Sequence, residues 1–222
     1  MLIVLEGNDG SGKATQTKLL VEALRKEGKS VETIDFPRYY DNFFGGFLGE
    51  CLRGDHGNFV DLDPKIASML FAFDRSESRK QIADWIKQGK TVIADRYATA
   101  NMIHQGGKIK NEKERSDFIL WLEKLEYEKL ELPPPDMVIY LDVPVETSLQ
   151  NLADKNDGYA AGKKDQHEGS QEFLYNSRQA ALSVAARDPA WYTVLCTRDS
   201  IMRKRTDIHN EIIKLTHQIY EH

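Results

Sequence analysis

The stretch Gly7-Asn-Asp-Gly-Ser-Gly-Lys13 constrains this chain more than any other part of it. It sets the pattern G-x-x-x-x-G-K directly after an apolar run, residues 2–5, and directly before a helix-patterned segment that reaches about residue 27. A strand that ends in a glycine-rich turn and restarts as a helix points successive backbone N–H groups into one concave loop. The helix amino terminus adds partial positive charge. Such a loop cradles phosphate, and Lys13 reaches the β- and γ-phosphates of a nucleotide. Gly7, Asn8, Asp9, Gly10, Ser11, Gly12, Lys13, Ala14 and Thr15 are therefore the expected ATP-binding segment, with Lys13 as its catalytic cation.

The loop departs from the usual pattern at one position. The residue after the lysine ordinarily carries a hydroxyl that holds magnesium, and here it is Ala14. Thr15 follows, but about 100° further round the helix, so it does not simply substitute. Mg2+ is still expected, because two polyanions have to be brought together. Phosphate oxygens, waters and a carboxylate suffice for this ion. Asp9 is the best-placed carboxylate in the loop, and its position suits a turn-stabilising Asp equally well.

Apolar runs alternate with longer helix-patterned segments along the rest of the chain. Strands are predicted at residues 2–5, 30–36, 91–94, 137–141 and 191–196, and helices at 63–88, 112–130, 172–187 and 206–220. Asp63 suits an N-cap, Pro64 a first helical position and Gly89 a C-terminal stop. Strands apolar on both faces, alternating with helices, predict an α/β fold: a five-stranded parallel sheet flanked by helices on both faces. Residues 1–222 read as one domain. Residues 151–170 are polar, rich in Gly, Lys and Asp, and lack periodicity, which fits a surface loop or a lid.

Composition narrows the classes of function. Hydrophobic residues make up 41% and charged residues 29%, enough for a sizeable core without disulfides or a structural metal. The balance of 30 Lys+Arg against 35 Asp+Glu gives a formal charge of −5. A nucleic-acid polymer or an anionic membrane surface calls for a net cationic partner, so both are excluded. A single small anion responds to the local field and is not. Cys51 and Cys196 lie far apart without C-x-x-C spacing, which fits a reducing compartment. The first apolar run is too short for a bilayer span and has no basic flank or cleavage signature. The expected location is the cytoplasm.

Three further motifs converge on the carboxyl edge of the sheet, where open α/β sheets bind their ligands. Phe36-Pro-Arg-Tyr39 leaves the second strand, Asp95-Arg-Tyr97 leaves the third, and Phe71-Ala-Phe-Asp-Arg75 lies in the helix between them. Together they supply three arginines and several aromatics, suited to an anionic ligand with a flat ring. Each has a structural reading beside the functional one. Phe36 and Phe71 are equally compatible with the core, Asp74-Arg75 with a surface ion pair of little energetic worth, and Asp95 and Arg96 with closing a strand end.

These motifs make the chain resemble the thymidylate kinases of the P-loop nucleoside monophosphate kinase group. The likeness is carried by Glu6-Gly-Asn-Asp-Gly-Ser-Gly-Lys13, Phe36-Pro-Arg-Tyr39, Phe71-Ala-Phe-Asp-Arg75, Asp95-Arg-Tyr-Ala-Thr-Ala-Asn101 and Pro134-Pro-Asp136, in order and spacing over about residues 1–180. The resemblance implies a P-loop kinase fold with a lid at about residues 151–170. It also implies transfer of the γ-phosphoryl group of ATP to dTMP, giving dTDP for dTTP and DNA synthesis, with Mg2+, and a homodimer formed through the helix that starts at Asp63. Carried over by position, Phe36 and Phe71 pack on the thymine, and Arg75 and Asn101 bond its edge. Arg38, Tyr39 and Arg96 hold the 5′-phosphate or sugar side, with Arg96 catalytic. Asp9 is placed beside the 3′-hydroxyl and the metal and is also catalytic. Asp165 and His167 in the lid close over the sugar, and Glu168 joins Asp9 at the metal.

Three departures from the family pattern stand out. Ala100 replaces a serine and His104 a tyrosine, both near base and sugar. The start of the lid carries Asn151 and Lys155 where many relatives have arginines, leaving Lys155, Lys163 and Lys164 as substitutes with point charges rather than planar forks. Two other readings stay open from the residues alone. One is a kinase for another (deoxy)nucleoside monophosphate or a nucleoside, and the other is a non-catalytic nucleotide-dependent switch. A closed aromatic pocket at the Asp95-Arg96-Tyr97 edge favours the kinases; an open surface favours the switch.

Overall fold

Strands whose residues are apolar in succession have no face to give to water, and the chain buries them accordingly. The structure, a computed structural model, describes residues 1–156 and 171–220. Strand β1 (Leu2–Glu6) is buried throughout and passes through the glycine loop into helix α1 (Lys13–Lys26). Then follow β2 (Val31–Asp35), α2 (Phe43–Leu52), α3 (Pro64–Glu77), α4 (Arg79–Lys87), β3 (Thr91–Asp95) and α5 (Thr99–His104). Helix α6 (Glu112–Glu123) continues as a π-helical turn at Lys124–Lys129 and leads to β4 (Met137–Asp142) and α7 (Val145–Asn156). The chain ends with α8 (Gln171–Ala185), β5 (Trp191–Leu195), the short hairpin β6 (Thr197–Arg198) and β7 (Ile201–Met202), and α9 (Arg205–Tyr220).

The five long strands form one parallel sheet, as the patterning predicts, and their order in it is β2-β3-β1-β4-β5. Alternate residues of β1 serve opposite layers. Leu2 and Val4 pack with Ile82, Ile103, Phe118 and Leu122 on one face, and Ile3 and Leu5 with Leu20, Leu24, Ile208 and Ile212 on the other. Each such aliphatic side chain removed from water contributes about 1.5–3 kcal/mol. β1 is central, so the loop that follows it opens at mid-edge with β3 and β4 on either side. Among the described residues no helix is long and apolar enough to cross a membrane.

Several boundaries differ from expectation. The single helix predicted over residues 63–88 is two helices that meet at Ser78, the last cap of α3 and the first of α4. The break lets them serve different partners: α3 turns Ala67, Ala72, Asp74 and Arg75 inward beside α2, while α4 lays Ile82 on the sheet. Asp63 does cap α3, accepting from the N–H of Lys65 at 2.9 Å. The helix predicted over residues 112–130 widens into the π turn at Lys124, and the strand predicted to residue 196 ends at Leu195. Residues 151–156, read as the start of a lid, are the end of α7; residues 157–170 lie outside the described residues. Helix α2 lies in a stretch to which the patterning assigns no element, and its Gly45, Gly46 and Gly49 are poor helix formers.

Gly45 shows why α2 tolerates glycine. A Cβ there would lie 2.1 Å from the carbonyl oxygen of Arg38 and 2.5 Å from its carbonyl carbon. The helix therefore presses against the backbone that carries Arg38 and Tyr39. In an open helix, Gly→Ala stabilises by about 1 kcal/mol. Gly45→Ala should have the opposite sign, costing about 1–3 kcal/mol through overpacking, measured as a lowered denaturant midpoint. An increase in stability would show that α2 does not brace this loop.

Candidate active site

The glycine loop adopts the curl its sequence demands. Gly10 and Gly12 have φ of 80° and 91°, the left-handed region that favours glycine, and Gly12 is the N-cap of α1. A Cβ on Gly10 would also meet the carbonyl oxygen of Ser148 at 2.4 Å. Lys13 arches back over the loop, its Nζ donating to the carbonyls of Gly7 at 2.6 Å and Asn8 at 3.2 Å. Two amides fasten the loop from above: Asn8 Nδ2 donates to the Leu174 carbonyl in α8, and Asn151 Nδ2 to the Gly10 carbonyl. α8 is itself fixed to the end of β4, where Arg178 forms a two-bond fork with Asp142.

The loop opens on a cleft lined by Asp9, Gly10, Gly12, Lys13 and Ala14 together with Asp35, Asp95 and Arg96 from the ends of β2 and β3. Thr15 is not among the residues lining it. Arg96 leaves β3 with φ of 65°, in a region that costs a non-glycine residue about 1–3 kcal/mol. Two contacts hold it there: its backbone N–H donates to the Leu5 carbonyl, and its Nη2 to Asp9 Oδ1 at 2.6 Å. Burial works against ionisation of Asp9, but the charges of Arg96 and Lys13 outweigh it and hold the carboxyl well below the usual range. Burial lowers Lys13 to about 8 with help from Arg96, against the pull of Asp9, Asp95 and Glu6.

Glu6 closes the floor of this cluster. It is fully buried at the end of β1, and its Oε1 accepts from the Thr99 hydroxyl at 2.7 Å and from the Tyr97 N–H at 3.2 Å. Burial pushes its carboxyl from 4.5 up to about 7, although Thr99, Arg96, Lys13 and the Tyr97 N–H all oppose the rise.

Beside the first cleft lies a second. Phe36, Tyr39, Phe71 and Phe173 supply its aromatic walls, and Leu52, Arg75, Ala100, Asn101, His104 and Gln105 also line it. Asp9, Phe36, Pro37, Tyr39 and Arg96 line both clefts, so the two share a wall. Phe36 packs on the buried Tyr97 at 5.9 Å between ring centroids, and Phe71 meets Phe59 edge-on at 5.8 Å. His104, at the position of the family's tyrosine, stacks on Phe173 with an interplanar angle of 16°.

The polar residues are placed less predictably. Asp74 and Arg75 are not a surface pair; both are buried and each faces a different partner. Asp74 accepts from the backbone N–H of Arg38 and from Asn42 Nδ2. Arg75 forms two bonds with Glu126, at 2.7 and 2.6 Å, and the Glu126 charge raises its pKa although burial alone would lower it. Asn101 donates to the same Glu126 at 2.9 Å. Arg38 lines neither cleft; its guanidinium bonds Ser78, Gln81 and Asp41 at the junction of α3 and α4. Asp165, His167 and Glu168, with Lys163 and Lys164, lie outside the described residues.

Sequence reasoning missed Glu126, Asn42, Gln105 and Phe173. For Glu126 a signal existed: it follows Phe118 and Leu122 at successive four-residue steps, so a carboxylate continues a buried apolar stripe. Among the described residues no three His, Cys, Asp or Glu gather into a self-sufficient metal site. The carboxylates of Asp9, Asp35 and Asp95 on the loop cleft are nevertheless hard oxygen donors of the kind magnesium takes when phosphate and water complete its shell.

The raised carboxyl of Glu6 has a measurable consequence. The unfolded chain releases this proton near 4.5 and the folded chain near 7. Its contribution to stability is therefore full below 4.5 and is lost as pH rises through 7. Glu6→Gln does not titrate, so the wild-type minus variant difference in unfolding free energy should fall by about 3 kcal/mol between pH 4.5 and 8. A difference independent of pH, in denaturant melts across that range, would show that Glu6 ionises normally.

Comparison with known proteins agrees with this geometry. A family model described as thymidylate kinase matches residues 5–211. The chain is 30% identical to the thymidylate kinase of Mycobacterium tuberculosis (strain H37Rv) over 187 residues, 84% of this chain and 86% of that one. It is 31% identical to a "Probable thymidylate kinase" of Thermococcus onnurineus over 220 residues, covering 97% and 96%. It is 29% identical to the thymidylate kinase of Pelotomaculum thermopropionicum over 223 residues, covering 99% and 94%. With the phosphate loop, the five-stranded parallel sheet and the joined clefts all in place, this chain belongs to the thymidylate kinase family.

Proposed function

We propose that this enzyme transfers the γ-phosphoryl group of ATP to dTMP, giving dTDP for dTTP and DNA synthesis in the cytoplasm. The observation that carries the reading is the shared wall: the phosphate-loop cleft and the aromatic cleft meet at Asp9 and Arg96. A triphosphate on the loop and a nucleoside monophosphate in the aromatic cleft would bring their phosphates to the same two residues. The aromatic cleft also weighs against a nucleotide switch, which has no use for a second ring-lined site.

The acceptor is a phosphate oxygen, ionised at neutral pH, so no general base is required. That oxygen forms a bond to the γ-phosphorus as the bond from phosphorus to the β–γ bridging oxygen breaks, and ADP leaves. The barrier is electrostatic, since two unit charges about 4 Å apart repel by roughly 4 kcal/mol at an effective dielectric near 20. Lys13 and the N–H groups of the loop hold the donor phosphates. Arg96 faces both clefts and spans donor and acceptor. Phe36 and Phe71 hold the base between aromatic faces, Tyr39 and His104 border the sugar, and Ala100 leaves room beside Asn101. Asp9, with Asp95 and the lid residue Glu168, suits Mg2+, which supplies charge neutralisation to the phosphates. Arg38 takes a supporting part, since its backbone and guanidinium brace the α3–α4 junction behind the cleft.

The lid at about residues 151–170 would exclude water, the competing acceptor, with Asp165, His167 and the lysines Lys155, Lys163 and Lys164 closing over the substrates. A homodimer is proposed through α2 and α3, where Phe43 and Ile66 are 75% and 54% exposed. Neither a nucleic-acid polymer nor a membrane is a partner.

One assay tests the function: ADP production with ATP and Mg2+ against dTMP, dUMP, dCMP, dGMP, UMP and thymidine in parallel. dTMP should give the highest kcat/KM, and any other preferred acceptor refutes the specific reading. Lys13→Ala should lower kcat/KM for dTMP by about a thousandfold or more, since a fixed cation at the transferring group is lost. Retention of a tenth of the activity would refute the loop's role.

A further inference from the structure

A single carboxylate bonds two of the buried polar groups that line the aromatic cleft. Glu126 is 1% exposed and lies in the π-helical turn after α6, an irregularity that recurs at functional sites. Its Oε2 accepts from Nε of Arg75 at 2.7 Å, and its Oε1 from Nη2 of Arg75 at 2.6 Å and from Nδ2 of Asn101 at 2.9 Å. Nδ2 of Asn101 also donates to the Ser68 carbonyl at 3.2 Å.

Donor and acceptor bookkeeping then gives the amide one orientation. A primary amide has two N–H donors on nitrogen and an oxygen that only accepts. Both donors of Asn101 are taken, by a carbonyl and a carboxylate that offer no proton in return. Oδ1 is the amide atom that remains for a ligand in the cleft, which Asn101 lines. Arg75 lines the same cleft and has donors only. The pair therefore presents an acceptor beside a donor.

We propose that Glu126 is the positioning residue that sets base selectivity in this enzyme. By orienting Asn101 and Arg75 together, it shapes the cleft for a pyrimidine with N3–H next to a C4 carbonyl, the thymine or uracil ring. It turns away a pyrimidine with a bare N3 next to a C4 amino group, the cytosine ring, whose donor and acceptor are exchanged. The inference rests on the proposal that the acceptor base occupies this cleft. Rejection of this kind is strong because mismatched groups are left buried and unpaired.

Glu126→Gln keeps the shape but puts an N–H donor where one carboxylate oxygen stood, facing Arg75, Asn101 or both. Kinetics of the full chain with dTMP and dCMP at saturating ATP test the proposal. Expected for the variant are a KM for dTMP raised at least tenfold, a KM for ATP changed less than twofold, and a dTMP:dCMP ratio of kcat/KM reduced at least tenfold. A ratio equal to that of wild type, or an equal rise in both KM values, would overturn it by making Glu126 merely structural. Should Glu126→Gln not fold, Glu126→Asp carries the test. Its shorter carboxylate cannot keep both partners, so the ratio should fall at least threefold, and an unmoved ratio overturns the inference. Failure of the wild-type chain to phosphorylate dTMP would overturn the proposed function and the inference with it. Wild-type activity with unmoved variant ratios overturns the inference alone.

Discussion

The Asp9–Arg96 ion pair ties the phosphate loop to the end of β3, and it answers a problem that recurs across the site. A guanidinium withdrawn from water keeps its charge, so a carboxylate has to accompany it into the protein. Asp9 does this for Arg96 and Glu126 for Arg75, each at hydrogen-bond distance. Removing only the carboxylate from the buried Arg75–Glu126 pair leaves a buried cation, typically a loss of about 3–5 kcal/mol, whereas Arg96 keeps some contact with water. The site residues are consequently coupled in pairs, and single substitutions there report the stranding of a partner as well as the loss of a contact.

Sheet register explains why the pairs form where they do. Leu5 lies opposite Asp95 in the parallel ladder, so the next residues, Glu6 and Arg96, emerge side by side where both strands end. The Arg96 N–H to the Leu5 carbonyl then turns the chain sharply, and the left-handed backbone of Arg96 is held by that bond and by Asp9. Glu6 lies beneath them with Thr99 and the Tyr97 N–H as its donors. Backbone strain at Arg96 and a displaced proton equilibrium at Glu6 arise from this one junction of β1 and β3, and both are the kind of local cost that concentrates at working sites.

What was legible in the sequence was what short-range patterning determines. Most strands lie where apolar runs placed them and Asp63 caps its helix; the motifs at Phe36 and Asp95 reach one edge because parallel strands share a direction, and α3 brings Phe71 to it. What was not legible depends on partners distant in the chain. Nothing near Arg38 says that its guanidinium turns to Ser78 and Gln81, 40 and 43 residues away. Nothing near Arg75 says that its carboxylate comes from residue 126 rather than from neighbouring Asp74. The π turn that brings Glu126 inward widens a helix whose residues are ordinary helix formers. Asn151, read as the start of a lid without periodicity, belongs to α7, and its amide reaches the loop carbonyl of Gly10, 141 residues away.

The formal charge of −5 is a poor guide to this site, and the reason lies in how its two central cations are held. Arg96 is committed to Asp9 at 2.6 Å, so much of its field is already answered within the protein. Lys13 is held by two backbone carbonyls and stands 3.8 Å from the same carboxylate. Carbonyl dipoles satisfy its N–H groups without cancelling its charge. A polyanion entering the loop cleft thus meets two cations that share one carboxylate, Lys13 at 3.8 Å from Asp9 and Arg96 at 2.6 Å. Asp9 thereby fixes both cations at the place where the two clefts meet, one from the loop and one from the end of β3.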